Sequence, residues 1–361
     1  MLSYLIVGSG YRAEYFGRIA ARYPALFRAL YLCRSPEKAA LMTERTGVAA
    51  TTALPEALAF GADFAVVAVG RAHIADVAAE WAERGLPVVA ETPIGASRTQ
   101  LERIWRLGQS GAKLVCCEQY HRYPILARGL ESIRQGLIGQ PCSAYLSLAH
   151  DYHGISLIRR LLGTDGEPYV LHAVRTTSQV AATDSRYEAI LDGSRAEEAR
   201  DVVHVAFASG KTAVYDFSPI QYRSFIRARH LTVRGERGEW SDRVFSYVDT
   251  ENLPQRIFLM PEIAPAYRSL DTQALRDLRK TWTPELFLDT AQDEFAIASI
   301  LLDMEGYLKG GPSPYPLAEA LDDAWFWLRA QAAVETPFAP VLSGPVPWRE
   351  GGSGNSAEAK P

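Results

Sequence analysis

Cysteine and methionine are both scarce, at four each in 361 residues. Cys33, Cys116, Cys117 and Cys142 form no Cys-x-x-Cys pair, and two of them are adjacent in an apolar, strand-like run. Buried free thiols are expected, rather than disulfides or a metal site. No apolar run reaches the roughly 18 residues of a membrane-spanning helix. There is no excess of basic residues either. The formal net charge is −4, so no bulk positive field draws the chain to nucleic acid or to an anionic membrane. No charged leader or cleavage site precedes the first strand, which points to the cytoplasm, and no internal repeat is present. What remains is an ordinary globular composition whose length predicts two domains.

The informative stretch is the first, Leu2 to Ala20. Leu5-Ile6-Val7 reads as a buried strand, Gly8-Ser9-Gly10-Tyr11-Arg12-Ala13 as a turn, and Tyr15, Phe16, Ile19 and Ala20 as the apolar stripe of a helix. A strand, a Gly-x-Gly-x-x-Ala turn and a helix, in that order, form the context of a dinucleotide fingerprint. Gly8 permits the sharp turn, Gly10 lets a pyrophosphate approach the backbone, and Ala13 is small enough for close helix–strand packing. The helix would aim its unpaired N–H groups and the positive end of its dipole at the phosphates. A merely tight structural turn is the alternative.

Strands and helices then alternate. A second strand runs from Leu26 to Cys33 and is followed by Arg34, Ser35 and a helix from Pro36 to Thr46. In such folds an acid at the end of this strand bonds the ribose 2′-hydroxyl, whereas a nearby arginine suits a 2′-phosphate. Here the strand ends in Cys33-Arg34, with no acid before Glu37, so NADP is expected over NAD. Phe64–Val69 is an apolar strand of the kind buried in parallel sheets. It leads through Gly70-Arg71-Ala72-His73 into a helix from Ile74 to Arg84. Leu86–Ala90 leads into Glu91-Thr92-Pro93; Ser97 is a plausible N-cap for the next helix. Lys113–Cys117 ends in Glu118-Gln119-Tyr120-His121. The pattern predicts an α/β domain with a doubly wound parallel sheet over residues 1–121. Ligands bind beyond the carboxyl ends of such strands. Gly8 to Ala13, Cys33, Arg34, Val69, Gly70, His73, Glu91, Thr92 and Gln119 are therefore the expected cofactor residues.

After residue 121 the pattern changes. Pro124–Gly136 reads as a helix, and alternating runs at 143–149, 169–174, 202–208, 212–217, 230–234, 238–240 and 243–248 read as strands of a large, mostly antiparallel sheet. Glu197-Glu198 suggests a surface loop. Residues 285–308 and 317–335 return to helical spacing, with Trp325 and Trp327 expected in the core. An α+β domain is thus predicted over 122–345, with a disordered low-complexity tail over 346–361.

Taken together, the order of motifs resembles the Gfo/Idh/MocA oxidoreductases, over about residues 3 to 340. The matching features are the turn Gly8–Ala13, His73 opening a helix, Gly85–Pro93 as a strand leading into Glu-Lys-Pro, Gln135–Gly139 as a Gly-x-Ile-Gly turn, Tyr152–Gly163 as a histidine helix, and Gly310-Gly311-Pro312. The resemblance implies a Rossmann domain followed by an α+β domain whose open sheet often forms a dimer face. A homodimer or higher homo-oligomer through that sheet is therefore expected. Two positions depart from the family pattern. Thr92 stands where the family has a lysine beside the nicotinamide, and His153-x-x-Ser156 stands for His-x-x-Asp. Biliverdin reductases and thiazolinyl imine reductases are members that lack the lysine, and some members bind the cofactor as regulators without turnover.

A proton carrier needs a pKa near the working pH, so histidine is the first candidate. His153 is expected to face the nicotinamide, helped by Tyr152; the alternative is a core histidine bonded to backbone. His150-x-x-His153 has metal-ligand spacing, but the strand–turn context would not put both rings on one face, so no metal is expected. Tyr120 and His121 would line the cleft, or else pack a hinge with Arg122 and Tyr123 on its surface. Thr92 can hydrogen-bond but cannot act as a cationic acid. The expected function is hydride transfer between NAD(P) and a C=O/CH–OH or C=N group of a small polar metabolite. The alternatives are a sugar or cyclitol dehydrogenase with a relocated acid, and a cofactor-binding regulator.

Overall fold

Leu5, Ile6 and Val66 are apolar on both faces of their strands, so they need cover from both sides. The computed structural model, which describes residues 1–183, 190–259 and 290–350, provides it with a parallel sheet. In chain order the elements are β1 (Leu2–Val7), α1 (Tyr11–Arg22), β2 (Phe27–Leu32), α2 (Pro36–Thr46), β3 (Ala50–Thr51), α3 (Leu54–Ala59), β4 (Phe64–Val67), α4 (Ile74–Glu83), β5 (Val88–Ala90), α5 (Arg98–Gln109) and β6 (Leu114–Cys116). The sheet order is β3-β2-β1-β4-β5-β6, with every pair parallel. This order reverses direction between β1 and β4, the point where dinucleotides bind in such sheets. β3 and α3 were not expected. Two residues of strand are too short to show a period, so Phe64–Val67 is the fourth strand, not the third.

Burial of this sheet explains the local sequence. Tyr4 is fully buried against Phe64, with ring centroids 5.5 Å apart, and its hydroxyl donates to the Phe16 carbonyl at 2.8 Å. A buried phenol needs such a partner. α1 lies close to β2: the Tyr31 hydroxyl donates to the Ala13 carbonyl at 3.0 Å, and a Cβ on Gly17 would come within 1.9 Å of that hydroxyl oxygen. The small residue that close packing requires is thus Gly17 as much as Ala13. Ser97 caps α5 as expected, accepting from the Gln100 N–H.

The second sheet has nine strands and is mixed. Its elements are α6 (Pro124–Arg134), β7 (Pro141–Ser147), α7 (Asp151–Leu162), β8 (Tyr169–Ala181), β9 (Arg195–Phe207), β10 (Thr212–Phe217), β11 (His230–Gly235), β12 (Gly238–Ser241), β13 (Val244–Val248) and β14 (Pro254–Phe258). After residue 289 come α8 (Thr290–Leu308), α9 (Leu317–Glu335), β15 (Val341–Leu342) and α10 (Pro347–Glu350). The strand order is β14-β13-β12-β11-β7-β10-β9-β8-β15. Only β7 and β10 pair in parallel. Alternate residues such as Ala213, Tyr215 and Phe217 are buried, the period-two pattern of a sheet covered on one face. α6 seats on Trp240, where Gly129 leaves room for the indole. The expected α/β plus α+β architecture is the one found.

Three readings of detail are corrected. Glu197 and Glu198 are in β9, not in a loop. Glu198 is buried and ion-paired with Arg200 at 3.0 Å and Arg227 at 2.8 Å, so its charge does not mark a solvent-exposed turn. Cys142 is exposed, unlike the other three free thiols; it lies at the start of β7, where the register with β11 shifts. β8 and β9 are each longer than the apolar runs that announced them, since their outer halves are polar.

By internal packing, residues 1–124 form one unit with 290–325 and 345–350, and residues 125–259 form another with 326–344. The boundary expected at 121/122 lies close to the first division, and the chain crosses again at 325/326 and 344/345. The expected helix start at 285–289 lies outside the described residues, as do residues 351–361 of the tail expected from 346. Residues 346–350 correct that reading, since Val346 and Trp348 are buried and Pro347–Glu350 is helical.

Candidate functional site

In the first unit, the residues singled out for a cofactor fall in the loops after the strands. Gly8 has φ +139°, and a Cβ there would come within 2.2 Å of the Ala68 carbonyl oxygen of the neighbouring chain segment. Any other residue would be strained and would clash. Gly10 is the N-cap of α1, with no side chain capping that end, and a Cβ on Gly10 would enter open space. Ser9 lies between them, and Tyr11 and Gly10 are exposed. A bare, uncapped helix start opening onto free space fits a pyrophosphate.

Cys33 is buried at the end of β2, and burial pushes its thiol up; Arg34 beside it is exposed. Ser35 caps α2. After β4, Val69 is half-buried, and Gly70 and His73 are exposed around a single 3-10 turn, Arg71–His73. After β5 come buried Glu91 and half-buried Thr92, with a cis bond between Thr92 and Pro93. After β6, Gln119 and Tyr120 are buried and His121 is half-buried, its ring 5.5 Å from that of Tyr315.

The structure links several of these through a residue the sequence reading missed. Asp293, in the first turn of α8, accepts from Arg12 Nη1 at 2.9 Å through one oxygen. Its other oxygen accepts from Gln119 Nε2 at 2.9 Å and from the Tyr123 hydroxyl at 2.5 Å. Arg12 also donates through Nε to Glu91 at 3.0 Å and lies over the Tyr15 ring at 4.7 Å. Burial alone would raise the Asp293 carboxyl, but Arg12, Tyr123 and Gln119 together hold it below the usual range. Burial would likewise lower Arg12, yet Glu91 and Asp293 keep it well above its ordinary value. Arg12 is therefore a held cation that faces the Glu91 and Asp293 carboxyl groups, and Asp293 is held as the anion.

The alternative hinge reading put Arg122 and Tyr123 on the surface, and the structure does not leave them there. Tyr123 is 3% exposed, and the Arg122 side chain is engaged by Asp303 at 2.5 Å and by the Pro314 carbonyl at 2.9 Å. Packing by α8, far along the chain, covers them.

In the second unit, His153 and Tyr152 lie in the first turn of α7, and both are buried. That turn is held by two tyrosines. The His150 N–H donates to the Tyr222 oxygen at 2.9 Å, and the Asp151 N–H donates to the Tyr215 oxygen at 2.8 Å. Helix starts leave such N–H groups without intrahelical partners. The Tyr222 oxygen is also 2.6 Å from His150 Nδ1. Burial raises Tyr215 well above its ordinary value, so it stays a neutral acceptor. The His153 ring meets His150 edge-on at 4.8 Å and Tyr152 at 4.6 Å. Gly154 permits this packing, since a Cβ would come within 2.6 Å of the Tyr215 ring.

Asp293 had only one local signal, an Asp-Glu pair at the start of a helical run. Its neighbour Glu294 pairs with Arg18 at 2.7 Å and Arg22 at 3.2 Å, one turn apart on α1.

No family model matches the chain, and no curated protein matches it in sequence. Solved structures do match in fold. A levoglucosan dehydrogenase in complex with NADH superposes with a TM-score of 0.71 at 14% identity, over 96% of this chain and 100% of its own. An NAD-binding oxidoreductase from Klebsiella pneumoniae gives 0.71 at 15% identity, with coverages of 96% and 100%. The WlbA dehydrogenase from Chromobacterium violaceum, in complex with NADH and UDP-GlcNAcA, gives 0.64 at 15% identity, with coverages of 94% and 95%. Across nearly its whole length, the chain has the two-sheet fold of these dehydrogenases.

Proposed function

We propose that this chain is a nicotinamide-dinucleotide-dependent oxidoreductase that reduces a C=O or C=N group of a small polar metabolite. The observation that carries the reading is the sheet order β3-β2-β1-β4-β5-β6, with Gly8 and Gly10 opening onto the uncapped start of α1 at the strand reversal. The dinucleotide, when bound, supplies the hydride. The residues proposed to hold it are Gly8 to Ala13, Cys33, Arg34, Val69, Gly70, His73, Glu91, Thr92 and Gln119. NADH in the solved relatives supports a nicotinamide cofactor. The exposed Arg34, with no acid at the end of β2, favours NADP over NAD.

The chain's own task is to place the substrate and manage one proton. His153 is the proposed carrier, with Tyr152, Tyr120 and His121 as helpers and Thr92 as a hydrogen-bonding residue. An imidazole in the first turn of a helix pinned by two tyrosine hydroxyls is held in a defined orientation, which proton transfer requires. A homodimer through the nine-stranded sheet and a cytoplasmic location complete the proposal; four free thiols suit a reducing compartment.

A second reading, a sugar or cyclitol dehydrogenase using His153 as base, is favoured by the levoglucosan and UDP-sugar ligands of the relatives. The deciding experiment measures NADPH and NADH oxidation over a panel of ketones, imines and keto-sugars, and NADP reduction over polyols, for the wild type and His153→Ala. Reduction of ketones or imines is expected. Polyol-dependent reduction of NADP alone would select the second reading. Tight binding without turnover on any panel member would leave a cofactor-binding regulator.

A further inference from the structure

The Gln119 amide is only half used. It is 2% exposed, its nitrogen donates to Asp293, and its oxygen is buried with no hydrogen-bond partner. A buried carbonyl oxygen left unpaired is costly, and native chains seldom keep one without a reason. The amide cannot remove the cost by turning over, because that would set its oxygen against the Asp293 carboxylate. That carboxylate is itself fixed. One of its oxygens takes Arg12, and the other takes Tyr123 and Gln119. The result is an acceptor held in one direction, just beyond β6.

In a doubly wound sheet the two halves bind the two mononucleotides, so the β4-β5-β6 half receives the second ring. On the reading proposed above, that ring is the nicotinamide. Its carboxamide carries an NH2 group, a donor that matches an unpaired carbonyl oxygen. We propose that Asp293 is a positioning residue that locks the Gln119 amide so that its oxygen receives the cofactor's carboxamide NH2. Gln119 then reads the carboxamide, and Asp293 acts on the carboxamide through Gln119. This rests on the nicotinamide reading but adds a residue from α8 to it, nearly the length of the chain away from the glycine turn.

The test compares binding of three probes by titration calorimetry on the full chain: the preferred dinucleotide, its 3-acetylpyridine analogue, in which a methyl replaces the NH2, and ADP-ribose, or its 2′-phosphate, which has no ring. The wild type is expected to bind the parent about tenfold more tightly than the analogue, the size of one buried hydrogen bond gained or lost. Gln119→Met should bind both equally, with the ADP-ribose affinity unchanged. Asp293→Asn, which frees the amide to rotate, should lose most of the discrimination while keeping ADP-ribose affinity within about twofold. Equal binding of parent and analogue by the wild type would overturn the proposal and leave the nicotinamide reading intact. Full discrimination in Asp293→Asn, or an equal loss for all three probes, would reduce Asp293 to a structural residue. Failure of the wild type to bind ADP-ribose or either dinucleotide would overturn the nicotinamide reading itself.

Discussion

The polar cluster of the first unit and that of the second are built from different chemistry. Around Asp293 the groups are charged and paired: Arg12 lies between two carboxylates, and a phenol and an amide complete the shell. Arg12 is held above and Asp293 below its ordinary value, so this pair stays charged across the physiological range. Around His150 and His153 the groups are aromatic rings meeting edge-on, and the anchors are tyrosine oxygens taking backbone N–H groups. Histidine is the side chain that ordinarily changes charge between about pH 5 and 8. One cluster is suited to holding a ligand in a fixed field and the other to moving a proton. Binding and turnover should therefore separate by unit.

The largest expected effect breaks the comparison if it fails. His153→Ala should lower turnover by about 10²- to 10⁴-fold, the usual worth of a positioned acid or base, with the dinucleotide dissociation constant unchanged. A loss shared by binding would mean that the second cluster also holds the cofactor. Next is Asp293→Ala, which leaves Arg12 with Glu91 alone. Removing one member of a largely buried ion pair costs roughly 3 kcal/mol, read as a shifted urea midpoint. The pH dependence follows from the lowered Asp293 carboxyl. Its contribution is complete above the ordinary aspartate value of about 3.9 and is lost as pH falls through the lower folded value. Acid unfolding below about pH 4 should thus be shallower in the variant than in the wild type. Smaller again, Arg34→Ala should weaken the 2′-phosphorylated dinucleotide roughly tenfold and leave NAD binding unchanged. Equal loss for both would make Arg34 a general phosphate contact.

How far each cluster was legible in the sequence follows the same division. The glycine turn, the strand ends and the histidine helix are local patterns, and each was placed where it is found. Gly8 advertises itself because only a residue without a side chain suits its φ and its approach to Ala68, whereas a Cβ on Gly10 would meet open space and that residue is legible only through its place in the Gly-x-Gly turn. Asp293 does not, because an aspartate in the first turn of a helix looks like an ordinary helix-dipole partner. Its meaning comes from Arg12, which is 281 residues away. Arg122 and Tyr123 look like surface residues for the same reason, until α8 covers them. In the second unit, Tyr215 was legible as a strand residue, whereas Tyr222 lies in a 3-10 turn beyond that strand. Their use as caps for α7 depends on which strand lies under the helix, and no spacing reports that. The polar ends of β8 and β9 failed to read as strand because the face they show is not apolar.

The smallest effect sharpens the proton-moving side of the comparison. Tyr222 carries a single hydroxyl with two neighbours, the His150 N–H at 2.9 Å and His150 Nδ1 at 2.6 Å. The N–H can only donate, so the oxygen accepts there; a Tyr222 hydroxyl that donates to Nδ1 requires that nitrogen to carry no proton. In that arrangement Nδ1 of His150 accepts and the ring proton sits on Nε2. Tyr222→Phe removes both contacts while keeping the ring that packs against His150. The orphaned helix-start N–H should cost about 1 kcal/mol of stability. The sharper readout is the ring itself. Nitrogen-15 spectra of the neutral enzyme should show His150 as the Nε2–H tautomer in the wild type and as a mixture in Tyr222→Phe. If the phenol sets the tautomer only of His150, the His153 signals should stay in place. If they shift with those of His150, the two rings form one relay, and the edge-to-edge contact at 4.8 Å carries more than packing.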